Sequence, residues 1–328
     1  MALETKAFDE AVSAARDGAI AVDRSDLGML KFSGETRLDL IHRMSTQAVK
    51  DLAPGAGAAT VLTTDIGRSI DRLILYATGD TVYALTGEDN ADNVARYLLR
   101  FVFFQDDFHV EDLTAQTFIF GVYGAGARER LRALFGDTVD LPLHHWQQLE
   151  LDGATTYLHR TDPVAGDGYF VMGDEADKER VWAALVESGV VPAGPEAFEY
   201  LRLASGRPRF GREISADYIP LETGLWDDVS FNKGCYTGQE VIARMESRGR
   251  LAKKLVHLRA EGPVEPGSEI EVDGRSAGTV TSAASGPDGV FVLGYVKTRA
   301  LEAVEEAGEG ELLADGVRLH LLAPVGGR

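Results

Sequence analysis

Residues 233–240 read Lys233-Gly234-Cys235-Tyr236-Thr237-Gly238-Gln239-Glu240 and contain the only cysteine among 328 residues. They open the one strongly basic stretch of the chain. Between Lys233 and Lys254 lie Lys233, Arg244, Arg248, Arg250, Lys253 and Lys254 against Glu240 and Glu246, a local +4 inside a net charge of −19. Neighbouring cations favour the ionised form of a thiol, so the sequence marks Cys235 as a thiolate near neutral pH. Free cysteines are usually small buried hydrophobes. The polar, glycine-bearing neighbours of Cys235 point instead to a nucleophile, a redox thiol or a ligand to a shared metal centre. No histidine stands close by in sequence, so no hydrolase dyad is read here.

Working upstream, Arg202, Arg207, Arg209 and Arg212 fall within 11 residues. Guanidinium forks match carboxylates and phosphates, with solvated helix-end arginines as the bland alternative. Asp71 follows Gly67-Arg68-Ser69-Ile70 and precedes the apolar run Leu73-Ile74-Leu75. A carboxylate at the mouth of a strand can hold a cationic amine, but a turn residue paired with Arg68 or Arg72 has the same local pattern. Gly166 and Gly168 belong to no G-x-G-x-x-G fingerprint, and no P-loop occurs.

Composition narrows the class. One cysteine excludes an intrachain disulfide and any cysteine-clustered zinc or iron–sulfur site built by this chain alone. The seven histidines are scattered, and the adjacent pair His144-His145 is a poor metal site because neighbours on one element point apart. No apolar run approaches the length of a membrane span, and Met1-Ala2-Leu3-Glu4-Thr5-Lys6 lacks a secretion signal, so a cytoplasmic protein is expected. Eight lysines, 25 arginines and 52 carboxylates resemble a surface solvated at high salt, which makes a halophilic source the expectation. Such acidity disfavours nucleic acid as a partner; the basic stretch offers no aromatic interleaving beyond Tyr236.

The periodicity predicts short alternating strands and helices. Strands are expected at 27–34, on both sides of the turn 65–68, at 82–85, 108–112, 117–123 and 154–159. Helices are expected at 35–44 (inward face Leu38, Ile41 and His42), 89–101, 127–135, 175–188 and 196–204. Beyond residue 250, glycine and proline turns separate short strand-like pieces, a texture suited to a small β-barrel. The reading is an α+β chain with a folded region over 1–250, divided at about 115/116, and a barrel over 251–328.

The octapeptide, together with residues 201–240 as a block, resembles the YgfZ family, folate-binding proteins that support iron–sulfur enzymes and are related to the T-protein of the glycine cleavage system. Residues 62–76 are similar to the T-protein strand-turn-strand, 97–114 to the YgfZ side, and 274–296 to the family's C-terminal barrel. The T-protein normally has Asp and Phe where Cys235 and Tyr236 stand. The resemblance implies a three-part ring with tetrahydrofolate or a one-carbon derivative in a central channel. Asp71 matches the T-protein carboxylate that engages the reacting folate nitrogen. Phe170, after Gly168-Tyr169, replaces the Glu expected to grip the pterin, and it cannot hydrogen-bond an amide edge.

The implied site is Cys235 and Asp71 as the reactive groups, with Lys233, Tyr236, Tyr169, Glu222 (as substitute for the missing Glu), Arg202 and Arg212 around the folate. Cys235 would be a reactive thiol or a transient cluster ligand, with no resident metal. The function so implied is support of iron–sulfur cluster assembly or repair, extending to cluster-dependent tRNA modification, in a monomer serving iron–sulfur client proteins. A folate-dependent aminomethyltransferase is the alternative: Asp71 favours it, while Cys235-Tyr236 and Phe170 count against it.

Overall fold

The computed structural model describes residues 3–306 and 310–326; the side chain of Arg248, one of the six cations above, lies outside the described ones. In chain order the elements are α1 (Phe8–Asp17), β1 (Ile20–Asp23), β2 (Leu27–Ser33), α2 (Arg37–Met44), β3 (Gly57–Thr63), β4 (Ser69–Ala77), β5 (Val82–Glu88), α3 (Ala91–Leu99) and β6 (His109–Asp112). There follow β7 (Thr117–Gly124), α4 (Ala127–Phe135), β8 (Trp146–Leu151), β9 (Ala154–Arg160), β10 (Asp167–Asp174), α5 (Lys178–Glu187), β11 (Val191–Pro192), α6 (Pro195–Ala204) and α7 (Gln239–Arg248). The C-terminal part comprises β12 (Lys253–Ala260), β13 (Glu269–Val272), β14 (Arg275–Gly286), β15 (Gly289–Lys297), α8 (Thr298–Glu306), β16 (Leu312–Ala314) and β17 (Val317–Pro324).

Three sheets result: β3-β4-β5-β2-β6, β11-β1-β7-β10-β9-β8, and a closed barrel β12-β15-β14-β13-β16-β17. The first two pack face to face. Their alternation shows why: on β4, Leu73 and Leu75 turn outward to a core shared with α2 and α3, while Ile74 and Tyr76 turn inward to the seam between the sheets. On β10, Tyr169 and Val171 face the core with α4 and α5, while Phe170 and Met172 face the seam. Both sheets are therefore covered on both faces at their centres, so central strands such as β4, β7 and β10 are largely apolar, and sequence periodicity could not say which residue faces which side.

The N-terminal segment departs from the expected division at 115/116. Strand β1 pairs with β7 and β11 in the second sheet, and α1 packs on α6, so residues 8–23 belong with the second layer. The inward face of α2 is Leu40, Ile41 and Met44; His42 points away, its Nδ1 accepting from the backbone N–H groups of Val49 and Lys50. The octapeptide runs from an irregular loop into α7, a helix that the glycine-rich sequence did not announce.

Candidate functional site

At one end of the seam lies a cavity of about 180 Å³. Its walls come from β2, β4, β5 and β10 and from the loop 207–214 after α6.

Asp71 belongs to its wall, although no part of it is open to solvent. Its position follows from a β-bulge: Leu62 pairs with Asp71 but Thr63 with Ser69, so Ile70 is an extra residue that re-aims the strand. One carboxylate oxygen accepts from Arg72 N at 2.7 Å; the other accepts from Gly87 N and Asn90 Nδ2, both at 2.9 Å. Asn90 stands at the N-cap of α3 but makes no capping bond with its side chain, which serves Asp71 instead. Burial pushes the Asp71 carboxyl up to about 7, and the three N–H donors oppose that rise. Asp71 can thus hold or release a proton near neutrality. It pairs with neither the Arg68 nor the Arg72 guanidinium; the Arg72 side chain turns elsewhere.

Arg72 is the centre of the cavity's charge network. Its Nε donates to Asp228 and its Nη1 to Asp162, each at 2.6 Å; burial pushes the Asp162 carboxyl up, but the Arg72 cation overrides it and holds Asp162 far below the usual carboxylate range. Arg24 donates to Glu88 at 2.7 Å, and its guanidinium lies 4.5 Å from the Phe198 ring centroid. Arg209 also pairs with Glu88, at 2.9 Å. Arg207 donates to Pro163 O at 2.9 Å. The same cavity is lined by the rings of Tyr123, Phe170, Phe198 and Phe210. A β-carbon at Gly87 would stand 2.3 Å from Phe210 Cγ, so only glycine lets that ring close over the Asp71 shell.

Arg202 lines the cavity and is braced from the barrel. It pairs with Glu199 at 2.5 Å and with fully buried Glu213 at 3.2 Å. The other Glu213 oxygen accepts from Thr281 Oγ1 and Ser282 Oγ, both at 2.7 Å. Adjacent strand residues normally point to opposite faces, but the β14 register shifts between Val280 and Ser282, and that irregularity brings both hydroxyls to one carboxylate.

The other site residues expected from sequence lie outside this cavity. Tyr169 is buried on the far face of β10, its hydroxyl donating to Val139 O; strand alternation gives the cavity Phe170 instead. Glu222 is buried beside the barrel, accepting from Ile219 N at 3.2 Å, 3.8 Å from Arg68, and burial pushes its carboxyl up. Arg212 is exposed. Lys233 donates to the carbonyls of His42, Ser45 and Gln47 at 2.5, 2.7 and 2.8 Å, closing the C-terminal end of α2. Burial pushes its ammonium down to about 7. Tyr236 packs in a small core with Ile219, Leu221 and Ile242, its ring 4.9 Å from the Lys233 ammonium. Cys235 is exposed and lies outside the cavity lining.

The octapeptide nonetheless supports the site. Thr63 Oγ1 donates to Thr237 O at 2.6 Å, and Gly238 (φ 84°) sits where a β-carbon would meet Thr64 O at 2.6 Å, so the motif is pressed onto the turn leading to Asp71. Sequence reasoning missed Arg24, Arg72, Asp162 and Asp228. Arg72 had a signal, since a charged pair inside an apolar strand needs a buried partner; the others come from distant segments. No group of His, Cys, Asp and Glu able to hold a metal occurs among the described residues.

Comparisons with known proteins agree with this geometry. Residues 3–233 match the GCVT N-terminal domain, and 253–325 match the CAF17 C-terminal beta-barrel domain. The Arabidopsis thaliana protein named "Putative transferase At1g60990, chloroplastic" is 32% identical over 306 residues, covering 92% of this chain and 71% of that protein. The aminomethyltransferase of Rubrobacter xylanophilus is 31% identical over 288 residues, 86% of this chain and 76% of its own. The crystal structure of the glycine cleavage system aminomethyltransferase T from Bartonella henselae superposes with a TM-score of 0.84 at 20% identity, covering 96% of this chain and 88% of that one. The two sheets, the barrel and the matched segments make this chain a member of the GCVT family that carries a CAF17-type C-terminal barrel.

Proposed function

We propose that the arginine-lined cavity binds a reduced folate, tetrahydrofolate or a one-carbon derivative, and that the protein uses it to support iron–sulfur cluster assembly or repair. The observation that carries the folate reading is Asp71: a buried carboxylate with a near-neutral proton affinity, in a wall shared with arginines and aromatic rings. The cavity is smaller than the roughly 300–1,000 Å³ typical of sites enclosing a whole drug-sized ligand. It fits a flat bicyclic head, with the acidic tail outside.

The residues present suit that head in part. Phe170, Phe198 and Tyr123 offer faces for a ring, and Asp162 or Glu88 offers acceptors for an amino-amide edge that Phe170 cannot serve. Arg202, Arg207 and Arg209 lie where guanidinium groups can meet carboxylates. Bound folate would supply one-carbon chemistry at its reduced ring. Asp71 would hold or move a proton at the nearby nitrogen, and the close-packed rings would exclude water.

The iron–sulfur part rests on a different feature. Cys235, flanked by the anchored Lys233 and Gly238, is open to solvent and lies outside the cavity lining, which is what a thiol acting on another protein requires. This favours a client-directed thiol over an aminomethyltransferase acting only inside its cavity. Titration calorimetry with tetrahydrofolate tests the first claim: wild type should bind, and Asp71→Ala should bind at least about tenfold more weakly, the scale of losing a charged hydrogen bond. Rescue of iron–sulfur enzyme activity in a deletion strain tests the second. Cys235→Ala should bind folate normally yet fail to rescue, and normal rescue would remove the thiol from the account. Tetrahydrofolate-dependent ammonia release from an aminomethylated carrier would establish the transferase instead.

A further inference from the structure

A second pocket, of about 250 Å³, opens at the other end of the same seam and shares no lining residue with the arginine cavity. The separation follows from strand geometry. Successive inward positions on one strand go to different pockets: Ile74 to the arginine cavity and Tyr76 to the second, Phe170 and Met172 likewise, and Leu27 and Met29 likewise.

We propose that this second pocket binds a small methylated-ammonium compound. Four of its walls are aromatic: Tyr76, Tyr83, Trp146 and Tyr157. The rings are not stacked. Tyr76 meets Trp146 at 82° with centroids 6.5 Å apart, and Trp146 meets Tyr157 at 54° and 5.8 Å, so differently oriented rings enclose one space. Aromatic faces carry negative potential and attract cations, most strongly where water is displaced.

Asp174, exposed at the mouth, is the only charged lining residue; one of its oxygens takes Ala176 N at 2.9 Å, and no lysine or arginine lines the pocket among the described residues. Nor does a histidine bring positive charge: the Tyr76 hydroxyl is engaged 2.8 Å from Nδ1 of His159, which burial keeps neutral. Anions are therefore refused.

Of the remaining walls, Met29, Met172 and Leu113 are apolar and bury methyl groups well, while Gln116 and Thr117 add neutral polar groups that carry no charge to compete with a cation. The indole Nε1 of Trp146 is buried without a hydrogen-bond partner. This inference does not depend on folate binding.

The test titrates the full chain at constant ionic strength with choline and with 3,3-dimethyl-1-butanol, which has the same shape with carbon in place of the charged nitrogen. Binding is followed by tryptophan fluorescence and ligand-observed NMR. Choline should saturate below about 10 mM, on the order of −3 kcal/mol, and the neutral isostere should bind at least about fivefold more weakly, within the range of a cation–π contribution. Tyr157→Leu, at a half-exposed side chain, should weaken choline about tenfold and Asp174→Asn about threefold, both with tetrahydrofolate binding unchanged. Equal binding of the isostere would make the pocket merely apolar. Failure of choline to saturate, or wild-type affinity in a folded Tyr157→Leu, would overturn the proposal.

Discussion

The two pockets of the seam are built from neighbouring positions on the same strands, yet their chemistry is opposite. The pocket at Trp146 is made by the two sheets and the short connection between β6 and β7, and it holds a single charge, at its rim. The cavity at Asp71 is closed by a third element, the loop after α6, and its arginines are fixed by acids from β5, α6 and the segments around 162, 213 and 228. Ring faces need only a pair of packed sheets to be positioned. Desolvated charges need each partner held, because an unpaired one is strongly destabilising.

The sharpest way to break this contrast is Arg72→Met. It would leave Asp162 and Asp228 facing each other's space without their cation, and a loss of about 3–5 kcal/mol is expected in urea unfolding. A loss under about 1 kcal/mol would mean that water reaches these charges and that the cavity is not electrostatically locked.

Removing the barrel's grip, with Thr281→Val and Ser282→Ala together, is expected to lower stability by about 1–3 kcal/mol through the under-satisfied Glu213. Tetrahydrofolate affinity should fall as well, because Arg202 loses its brace. Lowered stability with unaltered affinity would separate barrel from cavity.

Asp71 gives a pH signature that the aromatic pocket lacks. Its folded-state value of about 7 lies above the unfolded value of about 3.9, so between those pH values the native state keeps a proton that the unfolded chain has lost. Its contribution to stability therefore falls as pH rises through that window and is level above it. Asp71→Asn cannot titrate, so the stability of wild type relative to the variant should decline from pH 4 to pH 7. A pH-independent difference would show that Asp71 is ionised throughout. The smallest effect is expected at the exposed thiol, where Cys235→Ala should shift unfolding by less than about 0.5 kcal/mol.

Much of the architecture was legible in the chain, because its turns are strongly punctuated and the octapeptide points to a family. Asp71 carried a weaker signal, because its place between a glycine turn and an apolar strand equally suits an exposed turn residue paired with Arg68 or Arg72; only the fold shows that it is buried. Tyr169 shows where legibility ends. On a strand covered on both faces, Tyr169 and Phe170 are equally apolar in context, and only the sheet's packing partners decide that Phe170 meets the cavity. Lys233 shows another limit. Its neighbours in sequence suggested a cationic patch around a thiol, but its partners are the carbonyls of His42, Ser45 and Gln47, in and just past the last turn of α2, an encounter that no local pattern encodes. The aromatic pocket is more dispersed still, drawing one to three residues from each of several strands between Met29 and Asp174.

The Glu213 bridge has a practical consequence. A fragment ending before β12 would retain every arginine of the cavity and both sheets, yet lack the hydroxyls that clamp Glu213 and the Tyr295 phenol that donates to its carbonyl at 2.7 Å. The barrel thus serves as a keystone: excising it would leave the arch of guanidinium groups standing in composition but not in alignment. Any effort to transplant or minimise the arginine cavity has to carry this distant module along.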